Sequence, residues 1–260
     1  MNTLILIFAG LFGLIFGSFL NVCIYRIPQN KSIIWPRSFC PKCGKTIAWY
    51  DNIPVLSYII LWGKGRCCKE PISCQYPLVE LLTAALTVLF VWRYGITAWT
   101  FVVLAAVYSL IISSVIDLQL MIIPDRFSIG LIVFGLAVSF LNPNFDGTAW
   151  HRFLQSLLGA GVGFFGTLAV AVLGWFMFKK EAMGGGDVKL MGGIGALVGW
   201  EGVITTTIFA SVAGLIYSVF LMIFKGKKGG DAIPFGPFLS IGAIINLFYL
   251  VSPYMLTIEF

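Results

Sequence analysis

Residues 101–117 read FVVLAAVYSLIISSVID, an almost wholly apolar run that ends in one carboxylate, Asp117. A run of this kind is typical of a helix that crosses a lipid bilayer, which takes about 20 apolar residues. A charged side chain at membrane depth costs about 2.5–3.5 kcal/mol on insertion scales, so a buried aspartate there indicates a functional site. The run therefore predicts both a membrane span and a candidate functional residue at its end.

A second aspartate begins another apolar run. Asp187 follows three glycines in MGGGDVK, residues 183–189. Two such carboxylates suggest an aspartyl dyad, in which one carboxyl group holds a proton while the other activates water. The alternative is that each aspartate lies at a helix end near water. Gly184 and Gly186 are candidate support residues, because glycine lets another part of the chain approach closely, although a flexible loop is the other interpretation.

The composition excludes an ordinary soluble domain. The chain has 260 residues, of which 59% are hydrophobic and 11% are charged, as expected for a polytopic membrane protein. A net charge of +6 would suit a nucleic-acid partner, but the cations lie between apolar runs, so we expect a lipid bilayer and no nucleic acid. The run at 4–24 lacks a cationic start and a cleavage site, so we interpret it as a retained span.

The apolar runs predict an all-α polytopic membrane protein with about eight transmembrane helices. The predicted spans are 4–25, 77–93, 97–117, 126–142, 153–178, 188–200, 202–224 and 236–252. The span at 188–200 is short, and Glu201 and Gly202 separate it from the next. We expect three parts: a first transmembrane helix (1–25), a cytoplasmic cysteine-containing segment (26–76) and a transmembrane core (77–260).

Basic residues predict the orientation. The segment 26–76 holds eight lysines and arginines, so the positive-inside rule makes it cytoplasmic and places both termini outside. The basic loops at 179–180 and 225–228 then fall on the same side. Asp117 ends an outside-to-inside span and Asp187 begins an inside-to-outside span. The two carboxylates are therefore expected at the same membrane face.

Two other polar residues fit structural roles better. Asp125 follows Pro124 at the start of an apolar run, where a helix N-cap belongs, so capping is favoured over catalysis. His151 is the one histidine, and it lies in an outside loop. A Ser-His-Asp triad near the aspartates is therefore not expected.

The polar segment holds a candidate metal site. Its cysteines are Cys40, Cys43, Cys67, Cys68 and Cys74. Two Cys-x-x-Cys pairs at suitable spacing would indicate zinc, but here the second pair is irregular. Adjacent side chains diverge, so Cys40, Cys43 and Cys68 are the natural three ligands, with Cys67 or Cys74 as the fourth. The alternative is reduced thiols without metal, since disulfides are disfavoured on the cytoplasmic side.

Several motifs occur in a fixed order along the chain: GSFLNV (17–22), CPKC (40–43), DNIPVLS (51–57), YPLVE (76–80), IPD (123–125), GGGDVK (184–189) and IPFGPF (233–238). With these motifs the chain resembles, nearly end to end, the type IV prepilin peptidases, also called leader peptidase/N-methyltransferases. They belong to the Gly-x-Gly-Asp class of intramembrane aspartyl proteases.

The resemblance implies that Asp117 and Asp187 are the catalytic pair. It implies a prepilin or pseudopilin substrate, whose short basic leader ends in glycine and is cut at the cytoplasmic face of the bacterial inner membrane. Members with the cytoplasmic segment often also methylate the new N-terminus with S-adenosylmethionine. Glu80, at the cytoplasmic start of the second span, could meet the basic leader or a substrate amine, although a simple interface charge is preferred.

One departure from the family concerns the metal. The family commonly has Cys-x-x-Cys just before Pro-Ile-Ser, whereas here the earlier position is Gly65 and Cys67 is out of register. The fourth ligand, and zinc itself, are therefore in doubt. The rival functions are a peptidase without methylation, a small-solute transporter with membrane aspartates, and a structural membrane scaffold.

Overall fold

The computed structural model describes residues 2–179, 183–225 and 233–256, and the regular secondary structure of these residues is helical. The positions 180 and 226–228 of the predicted basic loops lie outside the described residues. The α-helices are α1 Thr3–Arg26, α2 Leu56–Ile60, α3 Gln75–Tyr94, α4 Ala98–Leu120, α5 Asp125–Ala137, α6 Ala149–Phe178, α7 Gly185–Lys225 and α8 Gly236–Phe248.

The prediction of an all-α polytopic membrane protein is confirmed. Among the described residues, five helices are long and apolar enough to cross a membrane, namely α1, α3, α4, α6 and α7. Helices α5 and α8 have 13 residues each and are shorter than the spans predicted for them. The α5 run bends into a 3-10 turn, Ser139–Leu141, in which Ser139 Oγ donates to the Leu136 carbonyl oxygen.

The two spans predicted at 188–200 and 202–224 form one helix with a kink. Helix α7 has 41 residues, and its only non-helical position is Gly199, with φ 73° and ψ 178°. Only glycine adopts this conformation at little cost, because other residues have a Cβ atom that clashes. The break therefore occurs at Gly199, slightly before the predicted boundary at Glu201 and Gly202.

The chain forms two compact units, Met1–Leu104 and Ala105–Phe260, with the boundary inside α4. In the first unit α1 packs against α3. A Cβ atom on Gly17 would lie 2.6 Å from the Glu80 Cα, and one on Gly13 would lie 2.6 Å from the Ala84 Cα. Small residues of this kind allow membrane helices to approach closely.

In the second unit α7 packs against α5, α6 and α8. Buried polar side chains tie these helices together through backbone carbonyl oxygens. Ser156 Oγ donates to Ala196 O at 2.6 Å, and Asn142 Nδ2 donates to Leu197 O at 2.7 Å. Such bonds satisfy polar groups that lipid cannot satisfy. The packing fixes the first turn of α7 relative to its neighbours.

Candidate active site

The last turn of α4 presents Asp117 to the first residue of α8. Asp117 is 5% exposed, and its Oδ2 accepts a hydrogen bond of 2.9 Å from the Gly236 N–H. The first N–H groups of a helix have no partner within the helix, so they are natural donors to a carboxylate. A Cβ atom at position 236 would lie 2.9 Å from the same oxygen. Glycine is therefore the residue that allows this contact.

The first turn of α7 holds Asp187. This residue is 9% exposed, and its backbone N–H donates to the Gly184 carbonyl oxygen at 3.1 Å. Its Oδ1 is buried and has no hydrogen-bond partner among the described residues. A buried carboxyl oxygen without a partner is costly in a folded protein. This oxygen is therefore available to a water molecule or a substrate atom.

Ile123 connects the surroundings of the two aspartates. A Cβ atom on Gly186 would lie 3.0 Å from the Ile123 Cβ, and one on Gly236 would lie 3.1 Å from the Ile123 Cδ1. The surroundings of the two buried carboxyl groups therefore meet at the Ile123 side chain. Two carboxyl groups in one buried site do not both ionise readily, so the pair can hold one proton and one charge. This is the requirement for general acid–base hydrolysis.

The two glycines singled out in the sequence lie beside this pair. A Cβ atom on Gly184 would lie 3.4 Å from Asp187 Oδ2. Gly186 faces Ile123 at a distance that leaves little room for a side chain. Their role as support residues remains a prediction.

The prediction that Asp125 caps α5 is wrong. The N-cap position is Pro124, without a side-chain cap, and Asp125 is the first helical residue. Its Oδ1 instead accepts a hydrogen bond of 2.7 Å from Lys189 Nζ. The ion pair links the first turn of α5 to the first turn of α7. Sequence reasoning missed Lys189, although its position two residues after Asp187 was a signal.

Glu80 is a buried hydrogen-bond acceptor, whereas the sequence favours a simple interface charge. It lies on α3, is 6% exposed, and its Oε2 accepts a hydrogen bond of 2.7 Å from the Val55 N–H. Val55 has a φ of 60°, a left-handed conformation that is strained for a β-branched residue. The buried carboxyl group thus holds a strained loop residue against α3.

Four thiols of the first unit converge on one point. The Sγ atoms of Cys40, Cys43, Cys67 and Cys68 all lie within 4.8 Å of one another. The neighbouring Cys67 and Cys68 therefore both reach the cluster, contrary to the expectation that adjacent side chains diverge. Cys74 lies elsewhere, with its Sγ 3.3 Å from the Tyr58 hydroxyl group. Four thiolates at this spacing suit a tetrahedral zinc ion.

The thiols of the cluster differ in acidity. The Cys43 backbone N–H is the main cause that lowers the pKa of Cys40 to about 7. A thiol–thiol hydrogen bond with Cys43 is the main cause that raises the pKa of Cys67 to about 12. Cys40 thus loses its proton before Cys67, and a metal that binds the whole set displaces the remaining protons.

Comparisons with known proteins identify both units. Residues 11–94 match the Bacterial Peptidase A24 N-terminal domain, and residues 104–219 match the Type IV leader peptidase family. No solved structure matches the chain significantly.

Several relatives carry the name prepilin leader peptidase/N-methyltransferase. The protein from Myxococcus xanthus is 37% identical over 223 residues, which are 86% of this chain and 65% of that protein. The Pseudomonas putida protein is 34% identical, with 93% of this chain and 89% of the relative covered. For the Xanthomonas campestris protein the identity is 35%, with coverage of 95% and 93%. The motifs, the paired aspartates and these matches agree: the chain belongs to the type IV leader peptidase family.

Proposed function

We propose that this protein is a membrane-embedded aspartyl endopeptidase that removes the leader of prepilins or pseudopilins. The observation that carries the proposal is the buried pair Asp117 and Asp187, brought together from α4 and α7. Relatives of similar length are named prepilin leader peptidases, in agreement with this chemistry. Both aspartates lie within one turn of a helix end, whereas transporter sites usually lie near the bilayer midplane.

The carboxyl groups of Asp117 and Asp187 together carry out the hydrolysis. The ionised aspartate takes a proton from water as the water attacks the scissile carbonyl carbon. The protonated aspartate donates its proton to the carbonyl oxygen. The other aspartate then gives the proton it took from water to the leaving amine, while the C–N bond breaks and the hydroxyl group of the intermediate returns a proton to the first aspartate. The proton belongs to the coupled pair of carboxyl groups and not to one aspartate alone. The Gly236 N–H orients Asp117, while the free Oδ1 of Asp187 meets the water.

The supporting residues each hold a part of the chain in position. Gly186 lets the first turn of α7 approach Ile123, and Gly184 lies beside the Asp187 carboxyl group. Asp125 holds the start of α7 through Lys189. Glu80 holds the loop at Val55 in the first unit. Segment 26–76 lies in the cytoplasm, because its eight cations favour that side of the membrane. Both termini then lie on the outer side of the bacterial inner membrane. Cleavage then occurs at the cytoplasmic face.

The second activity is methylation of the new pilin N-terminus, because the relatives are named N-methyltransferases as well as leader peptidases. S-adenosylmethionine supplies an electrophilic methyl group to the free amine. Cys40, Cys43, Cys67 and Cys68 would hold one zinc ion, and a site with four thiolates and no open position is structural. A zinc ion bound there would organise the polar segment, which is too short to build a large core of its own.

Co-expression with a candidate prepilin tests both activities, because the mass of the pilin reports leader removal and methylation together. Asp117→Asn and Asp187→Asn should each abolish leader removal while the protein stays inserted and folded. Asparagine keeps the size of the side chain and removes the acid–base chemistry. Substantial cleavage by either variant would refute the dyad.

A further inference from the structure

A cavity in the first unit has no role in the chemistry described above. It has a volume of about 400 Å³ and lies beside the last turns of α1, under the loop that follows this helix. Its apolar wall includes Ile15, Phe19 and Val22 of α1 and Ile34 of the loop, and its cations are Arg26 and Arg37. The cavity combines an apolar wall with positive charge at one end.

The two arginines differ in their surroundings. Arg26 is 4% exposed and donates hydrogen bonds to the carbonyl oxygens of Ser32, Pro36 and Arg37, at 2.8–3.3 Å. These bonds fix the loop that forms the cavity wall. Arg37 is exposed. The two salt bridges of the described residues involve Arg66 and Lys189, so neither arginine of the cavity is neutralised by a carboxylate.

No acidic residue lines the cavity, so its charge is positive. A positive cavity in which one guanidinium group is exposed and unpaired favours an anionic group, and phosphate oxygens suit the planar fork of arginine. The basic leader of a prepilin carries the wrong charge. So does the sulfonium group of S-adenosylmethionine, for which the cavity offers no carboxylate.

The apolar side of the cavity continues along the outer face of α1. Its exposed large side chains follow a helical stripe in which each is 43–66% exposed: Leu4, Ile7, Phe8, Leu11, Phe12, Ile15 and Phe19. Because α1 is long and apolar enough to cross the membrane, this stripe contacts acyl chains. Ile15 and Phe19 belong to both the stripe and the cavity, so an acyl chain that follows the stripe reaches the two arginines.

We propose that this cavity binds one anionic phospholipid, with its phosphate at Arg37 and Arg26 and an acyl chain against Ile15, Phe19 and Val22. The bound lipid fastens the loop of residues 32–38 to the membrane surface. A zwitterionic lipid has a phosphate too, but its quaternary amine offsets the attraction to the cations. The site therefore prefers phosphatidylglycerol to phosphatidylcholine.

Native mass spectrometry of the full-length protein in detergent tests this site, with equal amounts of phosphatidylglycerol and phosphatidylcholine added. The wild-type protein should retain one phosphatidylglycerol in preference to phosphatidylcholine. Arg37→Gln should weaken retention of phosphatidylglycerol about fivefold, the factor for one basic side chain at an anionic surface. Arg37→Lys should retain most of the binding. Lys64→Gln removes an exposed cation of the same segment outside the cavity and should behave as the wild-type protein does.

A second variant tests the acyl part without a change in charge. Val22→Phe fills the apolar wall and should lower retention of phosphatidylglycerol, whereas inorganic phosphate should not displace the lipid. Equal retention of the two lipids, unchanged binding by both Arg37→Gln and Val22→Phe, or displacement by inorganic phosphate would overturn the proposal. The last result would identify a site for free phosphate.

Discussion

The contact between Asp117 and Gly236 shows how a single residue without a side chain shapes the candidate site. The carboxylate accepts the first free N–H of α8, and the absent Cβ atom leaves space for it. A hydrogen bond to an ionised group contributes about 1.5–3 kcal/mol, more than a neutral one. The glycine therefore helps to fix the position of the Asp117 carboxyl group.

Gly236→Ala tests this contact. The added Cβ atom would lie 2.9 Å from Asp117 Oδ2, so the carboxylate must move and lose its bond. We expect leader cleavage to fall by about tenfold or more, the equivalent of one charge-assisted hydrogen bond. Gly161→Ala is the control, because a Cβ atom there meets nothing within 4 Å. Unchanged cleavage by the Gly236 variant would mean that the N–H of α8 does not orient the aspartate.

The ion pair Asp125–Lys189 is a second residue-scale device. The two side chains are 60% and 37% exposed, so their direct effect on stability is small, about 0.2–1 kcal/mol. Asp125→Asn keeps a hydrogen-bond acceptor for Lys189, and we expect it to retain appreciable cleavage. Asp125→Lys should reduce cleavage several-fold, and Lys189→Asp in the same chain should restore part of it. A double-mutant cycle of cleavage rates measures the coupling.

Two results would contradict the positioning role of this ion pair. If Asp125→Asn were as inactive as Asp117→Asn, then Asp125 would take part in the chemistry. If the charge-reversed pair recovered nothing, the ion pair would not position α7.

At the scale of the element, the kink divides α7 into two parts that pack against different neighbours. The part before Gly199 carries Asp187 near its start. In this part the side chains of Met191 and Ile194 are almost fully buried. The part after it packs against α8, where Asn246 Nδ2 donates to the Thr206 hydroxyl group. One glycine thus allows a long helix to serve two sets of neighbours.

Gly199→Ala should destabilise the protein more than it affects chemistry. A residue with a Cβ atom pays about 1–3 kcal/mol in this backbone region. The new atom would also lie 3.1 Å from the Phe145 ring. We expect a lower midpoint of thermal unfolding, measured by circular dichroism on detergent-solubilised protein. Gly166→Ala, in open space within α6, is the control and should not lower the midpoint.

At the scale of the whole molecule, the candidate chemistry is divided between two units. The thiol cluster belongs to Met1–Leu104, while both aspartates belong to Ala105–Phe260. The N-terminal family domain, residues 11–94, lies within the first unit, and the leader peptidase match, 104–219, lies almost wholly within the second. This arrangement favours a thiol cluster that serves methylation or substrate handling more than hydrolysis.

Metal analysis of the purified protein tests the cluster and its membership. We expect one zinc ion per chain, lost on acidification as the thiolates take up protons. Cys67→Ser should lower the zinc content, whereas Cys74→Ser should not, because the Cys74 thiol contacts Tyr58 instead. Cys40→Ser with Cys43→Ser should reduce methylation more than cleavage. Lost cleavage with methylation of a pre-cleaved pilin retained would reverse this division.

The sequence alone determined the helical membrane class and drew attention to the two aspartates. In lipid each backbone polar group must be satisfied within its own segment, so apolar runs such as 101–117 have few alternatives to helix. A carboxylate in such a run is conspicuous because of its cost. Where the local pattern was less strict, the prediction was less exact, as at the ends of α5 and α8.

The tertiary structure alone decided which residues contact the candidate site residues. Asp117 meets Gly236 from 119 positions away, and Asp125 meets Lys189 from 64 positions away. Cys67 joins the thiol cluster although its spacing is irregular. These contacts depend on how distant helices and loops pack, which local propensity and periodicity do not encode. The two aspartates could be recognised in the sequence because burying a charge is costly. Their partners could not be recognised, because a partner is defined only by proximity in the folded chain.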